Sequence, residues 1–245
     1  MIRFSRVVSF ALLLGVSLSL HAAPTGLLND TGQDTCYNDT VADGVAASGP
    51  ASIARDAGTH PRQDCRFGRD AAAAAGVLTK TGAGAKGFDY TRVCFNGDPE
   101  GSGACTGALV ANTTDTATGT PSTDWACTKD NVTNLIWSLQ SGYGDWTTYA
   151  NATLPNATNA AARCGYGTGW RLPTRRELFS IMHNGASIPA IDSAYFPSTQ
   201  SNWYWSADTY APVPAVAWGV VFYNGGAGAS NESNSGYVRL VRSGQ

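Results

Sequence analysis

Apolar residues fall into a few short patterned stretches, separated by runs of Gly, Ser, Thr and Asn. Thr174-Arg175-Arg176-Glu177 is a capping box, in which the threonine oxygen accepts a backbone N–H and the glutamate reaches back to the cap. Leu178, Ile181 and Met182 follow at i, i+3 and i+4, so a helix over 175–183 is expected, stopped by Asn184-Gly185. Two further helices are expected, at 70–75 from an alanine run ended by Gly76 and at 156–163 from a second alanine-rich stretch. Strands are expected at 132–137, 203–207, 215–223 and 236–242. In the third of these Val216, Trp218, Val220 and Phe222 alternate with Ala217, Gly219 and Val221, which points the larger set inward. Between the last two strands, residues 224–235 read as a long polar loop.

All seven tryptophans lie between Trp125 and Trp218, and the chain changes character near residue 124. Residues 111–123 have no apolar period and read as a linker or long loop. The stretch before them has few large apolar residues, so short strands and loops held by disulfides are expected there. The organisation expected is a signal segment at 1–23, a loop-rich segment at 24–123 and a domain at 124–243. Residues 1–23 carry Arg3 and Arg6, an apolar run from Val7 to Leu20 and small residues before Pro24, which is the pattern of a secretory signal. That run is shorter than the roughly 20 residues that span a bilayer, and no later stretch is long and apolar enough, so a chain that does not span the membrane is expected. Localisation should be secreted, periplasmic or cell-surface.

Six cysteines in an exported chain read as three disulfides with 15 conceivable pairings. Turn-forming residues fill the interval between Cys94 and Cys105 and favour that pair; Cys36 with Cys65 and Cys127 with Cys164 follow by elimination and neighbourhood. Zinc is disfavoured, because there is no C-x-x-C and His60 and His183 are isolated. Charged residues make up only 14% of the chain, and removing the two arginines of the signal leaves 16 − 2 = 14 bases against 18 acids. Nucleic acid is therefore not an expected partner, since neutralising phosphates needs a basic footprint.

The blocks Trp125 to Trp137 (WACTKDNVTNLIW), Gly169 to Leu178 (GWRLPTRREL), Tyr204-Trp205-Ser206-Ala207, Ala217-Trp218 and Tyr237 to Arg242 (YVRLVR) resemble the Lcl C-terminal domain family of bacterial surface and secreted proteins. Residues 62–70 also look like the region that often precedes that domain. The resemblance implies an α+β fold similar to C-type lectin-like domains and the formylglycine-generating enzyme group: a twisted antiparallel sheet, two helices and long loops, here preceded by a disulfide-bonded loop-rich segment. The family's namesake is an adhesin that binds sulfated glycosaminoglycans and trimerises through a collagen-like stalk. This chain has no Gly-X-Y repeat and a net negative charge, so neither property carries over directly.

The chemistry-bearing patterns point to binding without catalysis. Neither the Glu-Pro-Asn or Gln-Pro-Asp motif nor the Trp-Asn-Asp motif of calcium-dependent lectins occurs, and residues 30–43 hold no EF-hand loop. No cysteine follows Cys164, which removes the cysteine pair of the formylglycine-generating enzymes. Neither histidine has a nucleophile or orienting carboxylate placed by local spacing. N-x-S/T matches, among them those at Asn38, Asn112, Asn131, Asn151, Asn156 and Asn231, read as Asn- and Thr-rich loops. Trp170, Arg171, Trp203, Trp205 and Trp218 could form a sugar-binding face, but large aromatics are mostly buried, so a core role is preferred for them. Arg239 and Arg242 fall on opposite faces of the last strand, so at least one should be structural. Ligand contacts are expected instead on residues 208–214 and 223–235, at Asp208, Tyr210, Tyr223, Asn224 and Asn231. The expected function is a secreted or cell-surface binding or adhesion protein that recognises a glycan or a protein on a surface and needs no cofactor. The alternatives are a structural component of a surface appendage and an enzyme with an unrecognised site.

Overall fold

A computed structural model describes residues 31–32, 35–37, 42–46, 68–114, 120 and 123–244. The signal segment, His60, Cys65 with its expected partner Cys36, and most of the linker lie outside the described residues or side chains. Strands β1 (Thr35–Tyr37) and β2 (Ala42–Ala46) form a separate antiparallel pair. Helix α1 (Gly68–Ala74) follows, and then β3 (Tyr90–Cys94), β4 (Val110–Ala111), β5 (Asp124–Asp130) and β6 (Leu135–Asp145). A π-helical segment, Trp146–Thr153, runs into α2 (Leu154–Ala160), and α3 (Arg175–Ser180) precedes β7 (Trp203–Thr209), β8 (Val216–Val221), β9 (Gly226–Asn231) and β10 (Ser235–Ser243). The eight strands from β3 to β10 make one sheet in the order β3-β5-β6-β10-β7-β8-β9, with β4 beside β5. All pairings in it are antiparallel except β10 with β7 and β4 with β5.

Both faces of this sheet are covered. One core joins Trp137, Leu139, Tyr204, Val220 and Val241 to Leu178 and Ile181, which come from the end of α3. The other joins Ile136, Trp205, Ala217, Val238 and Leu240 to Leu154, Trp170 and Leu172. A sheet buried on both sides does not show a simple apolar-in, polar-out alternation. Phe88 and Tyr90 belong to the first core and β3 pairs with β5, so this stretch ahead of residue 124 folds as part of the same sheet. Arg239 and Arg242 project to opposite faces, and both are buried: Arg239 against the rings of Phe196 and Tyr204, Arg242 over Tyr166.

The capping box forms as expected, Glu177 N–H donating to Thr174 Oγ1 at 3.2 Å and Thr174 N–H to Glu177 Oε2 at 2.7 Å. Helix α3 is shorter than expected, because Ile181 at φ −103°, ψ 3° leaves the helical region. The strand expected at 132–137 is displaced: Asp130 Oδ1 accepts the N–H groups of Val132 and Thr133, and Asn134 takes a left-handed φ of 56°, so residues 131–134 form the β5–β6 turn. The helix expected at 156–163 begins earlier and ends at Ala160; Pro155 sits in its first turn, where a missing N–H costs nothing, and Ala162 at φ 47° ends it. The largest correction concerns residues 224–235, which are not a loop. Six of them, Gly226–Asn231, pair residue for residue with β8 as an edge strand. Gly219 and Gly228 have no side chains to obstruct the Trp203 indole, whose atoms would lie 2.5 and 3.2 Å from a Cβ at those positions. Tertiary packing thus selects a composition that by itself reads as loop. Disulfides close Cys94–Cys105 and Cys127–Cys164, both as expected.

Carboxylates pin the loops around this frame. Asp89 is 5% exposed and accepts the N–H groups of Thr81 and Gly82 and the Asn131 amide, while Asp192 accepts the N–H of Ala85. Burial by itself raises the pKa of Asp89, but the Asn131, Thr81 and Gly82 hydrogen bonds and the charge of Arg69 together leave it below the usual range. Glu177 is held low in the same way, its burial outweighed by Arg171 and Thr174. A carboxylate depressed in the folded state contributes stability that is fully present above its unfolded pKa, about 4, and is lost as pH falls through the folded value. The melting temperature should therefore fall on acidification below about pH 4, and less steeply in Asp89→Asn. Melting curves across that range check it, and equal slopes for parent and variant would remove Asp89 from the account.

Candidate functional site

The C-terminal end of β7 and the start of α3 meet at Asp208. Its Oδ2 accepts the N–H of Arg175 at 2.6 Å, so a carboxylate joins Thr174 in satisfying the open donors of the helix start. That bond fixes where Arg175 leaves the helix. Its guanidinium carbon lies 4.4 Å from the centre of the Trp218 ring on the neighbouring strand β8, in stacking range for a cation on an indole. Tyr210 closes on the same indole edge-on, with centroids 5.4 Å apart and planes at 76°. The Tyr210 N–H donates to Val216 O, which folds residues 211–215 into a fully exposed loop carrying Val213 at 45% exposure. Phe179, one turn along α3 from Arg175, is also exposed on this side.

Asp208, Arg175, Tyr210 and Trp218 are each half-buried. Among the described residues the Arg175 guanidinium has no hydrogen bond or ion pair, and neither the Trp218 indole N–H nor the Tyr210 hydroxyl has a hydrogen-bond partner. A planar cation with unused donors, stacked on an aromatic ring beside a free phenol, can hydrogen-bond hydroxyl or carboxylate oxygens while the rings contact an apolar sugar or side-chain face.

The five residues expected to bind ligand do not converge. Asp208 and Tyr210 belong to this cluster. Asn231 lies opposite Val216 across the β8–β9 pair, with its Oδ1 accepting from the Ser233 N–H and hydroxyl. Tyr223 and Asn224 lie in the turn at the other end of that pair, about 17 Å along the strand. Tyr223 is 51% exposed, and Asn224 Oδ1 accepts from Gly226 N–H, so both asparagines serve turns. Arg175, which the sequence reading did not single out, and Trp218, for which it preferred a core role, complete the cluster. The expectation that Trp218 points into the core is corrected: it is half-buried, whereas Ala217 and Gly219 beside it are buried. Of the other residues in the aromatic blocks, Trp170 and Trp205 are core, and Trp203 is half-buried over glycines. Arg171 is committed to both oxygens of Glu177, at 2.6 and 2.8 Å. His183 is buried and its Nδ1 accepts from Gly185 N–H. Among the described residues no three His, Cys, Asp or Glu side chains converge as metal ligands, and no helix is long and apolar enough to cross a membrane.

Residues 126–242 match the model of the Lcl C-terminal domain. The chain carries a domain of that family, and the match ends within β10, one residue short of its last. No curated protein and no solved structure matches the chain.

Proposed function

We propose that this is a non-catalytic binding module of an exported, surface-acting protein, with a C-type lectin-like fold whose sheet also takes in β3 and β4 ahead of residue 124, and that the Trp218 cluster contacts a glycan or a polar protein surface. The observation that carries the reading is the set of uncommitted donors of Arg175, Tyr210 and Trp218 around a half-exposed indole. The mixed, two-sided sheet and its few helices fit that fold class, and two buried disulfides fit an oxidising compartment.

The test is binding to glycan arrays and to cell surfaces by the parent, Trp218→Ala and Arg175→Ala, with hydrolytic and redox turnover assays alongside. Each variant should lose at least about tenfold in affinity, equivalent to about 1.4 kcal/mol. Because Trp218 is only half-buried, its removal should cost the fold about 1–2 kcal/mol, well short of unfolding it. Unchanged binding in both variants would exclude this cluster, and turnover without any binding signal would favour an enzyme.

A further inference from the structure

The two edges of the eight-stranded sheet are treated differently by the chain. On the β3 side the molecule closes its own edge. Tyr90 exchanges both backbone hydrogen bonds with Ala83, Arg92 C=O accepts from Glu100 N–H, and Cys94 N–H donates to Asp98 C=O inside the loop that the Cys94–Cys105 disulfide closes. Strand β4 adds only two residues.

On the β9 side no described segment closes it. The phase of the ladder follows from two bonds: Phe222 N–H donates to Asn202 C=O on the β7 side, and Glu232 N–H donates to Ala215 C=O on the β9 side. Even-numbered residues of β8 therefore bond β7 and odd-numbered residues bond β9, so Gly226, Gly228 and Ser230 face β8. The N–H and C=O groups of Ala227 and Ala229 point outward; both residues are exposed, and neither has a partner among the described residues. Natural sheets blunt such an edge with Lys, Pro, a bulge or a covering segment. Here Gly226–Asn231 holds no charge and no proline, its pairing to β8 runs without a bulge, and the β1–β2 pair is not hydrogen-bonded to it.

We infer that β9 is a dimerisation edge that pairs antiparallel with β9 of a second copy of this chain. Within the eight-stranded sheet as described, a second copy offers one open edge, its own β9, because its β3 edge is already closed. Edge addition is therefore isologous, and it stops at two. The register that uses every free group sets Ala227 opposite Ala229 of the second copy in both directions, with Gly228 facing Gly228 on the two-fold axis. Glu232 then falls opposite Asn224, so no like charges meet. With the axis perpendicular to the sheet, both Trp218 clusters lie on one face of a continuous sheet, their β8 strands three spacings or about 14 Å apart. On the binding reading above, that arrangement makes the molecule bivalent.

Ala229→Pro removes an outward N–H and leaves the β8–β9 ladder intact. In sedimentation and light scattering up to millimolar concentration, the parent should shift from monomer to dimer. Ala229→Pro should stay monomeric, with the parent's circular dichroism and melting curve. Ala227→Cys and Ala229→Cys should each cross-link poorly alone and efficiently when mixed under mild oxidation, because that pairing sets the two Cα atoms about 5.5 Å apart. This second measurement decides the matter if the proline variant misfolds. A parent that is monomeric throughout, a dimer that persists in a folded Ala229→Pro, or a mixture that fails to cross-link overturns the proposal. Glycan binding by a monomeric parent would sink the dimer and leave the binding reading standing.

Discussion

Trp205→Ala should lower stability by about 3–5 kcal/mol, a large share of what a domain of this size has to lose. The side chain is 0% exposed, packs in the core shared by Val238, Leu240 and Ala217, and meets the Trp203 indole edge-on at 5.6 Å. Its Nε1–H donates to Gly144 C=O on β6 at 3.2 Å, so truncation opens a cavity and also strands a carbonyl acceptor. A Cβ at Gly236 would come within 2.8 Å of this indole, so β10 packs directly against the ring that truncation removes. At about 2–4 °C per kcal/mol for a chain of this length, the melting temperature should drop by roughly 6–20 °C. Denaturant and thermal unfolding of Trp205→Ala beside Trp218→Ala provide the check, since two tryptophans of the same motif-like blocks should differ severalfold in cost. Equal losses would mean that the half-buried position of Trp218 is wrong and that the cluster proposed for binding is part of the core.

Those two tryptophans also show where sequence reasoning stops. The capping box at Thr174 was readable because a helix start is specified by residues three apart, and the observed bonds are the ones its letters encode. The Cys94–Cys105 pair was readable for a similar reason, a short interval of turn-forming residues. Strand β8 was readable as a strand but not in its orientation. Val220 and Phe222 do point into the first core, yet Ala217 lies in the second, so residue size could not say which side of Trp218 meets water. Strand β9 was unreadable, because Gly-Ala-Gly-Ala-Ser-Asn has no β-branched or aromatic residue and becomes a strand through β8 and Trp203. In the site, Asp208 and Tyr210 stood out as a carboxylate and an aromatic in a polar stretch. Arg175 did not, because its sequence context marks a helix start, and only the fold sets that helix against Trp218.

Removing the Cys127–Cys164 disulfide, as Cys127→Ala with Cys164→Ala, should cost more than removing Cys94–Cys105. The first joins residues 37 apart and the second residues 11 apart, and the longer closed loop takes more conformational freedom from the unfolded chain. Chain-entropy scaling puts the two at about 4 and about 3 kcal/mol. Native contacts enlarge the difference. Cys127 lies mid-strand in β5 and Cys164 in the turn at Arg163–Gly165, both fully buried, and the bond ties the segment after α2 to the sheet. That turn is also where Gly165 N–H donates to Phe95 C=O and the Arg163 guanidinium reaches Asn112 C=O at 2.6 Å, so loosening it frees contacts to the β3–β4 region as well. By contrast, the Cys94–Cys105 loop carries its own backbone bonds, from Cys94 N–H to Asp98 C=O and from Gly101 N–H to Cys105 C=O, which survive loss of the sulfur link. Urea unfolding of the two double variants measures the order directly. If Cys94→Ala with Cys105→Ala proves the more damaging, the loop ahead of residue 124 supports the sheet more than the segment after α2 does, and closure of the β3 edge becomes the dominant stabilising feature of that disulfide.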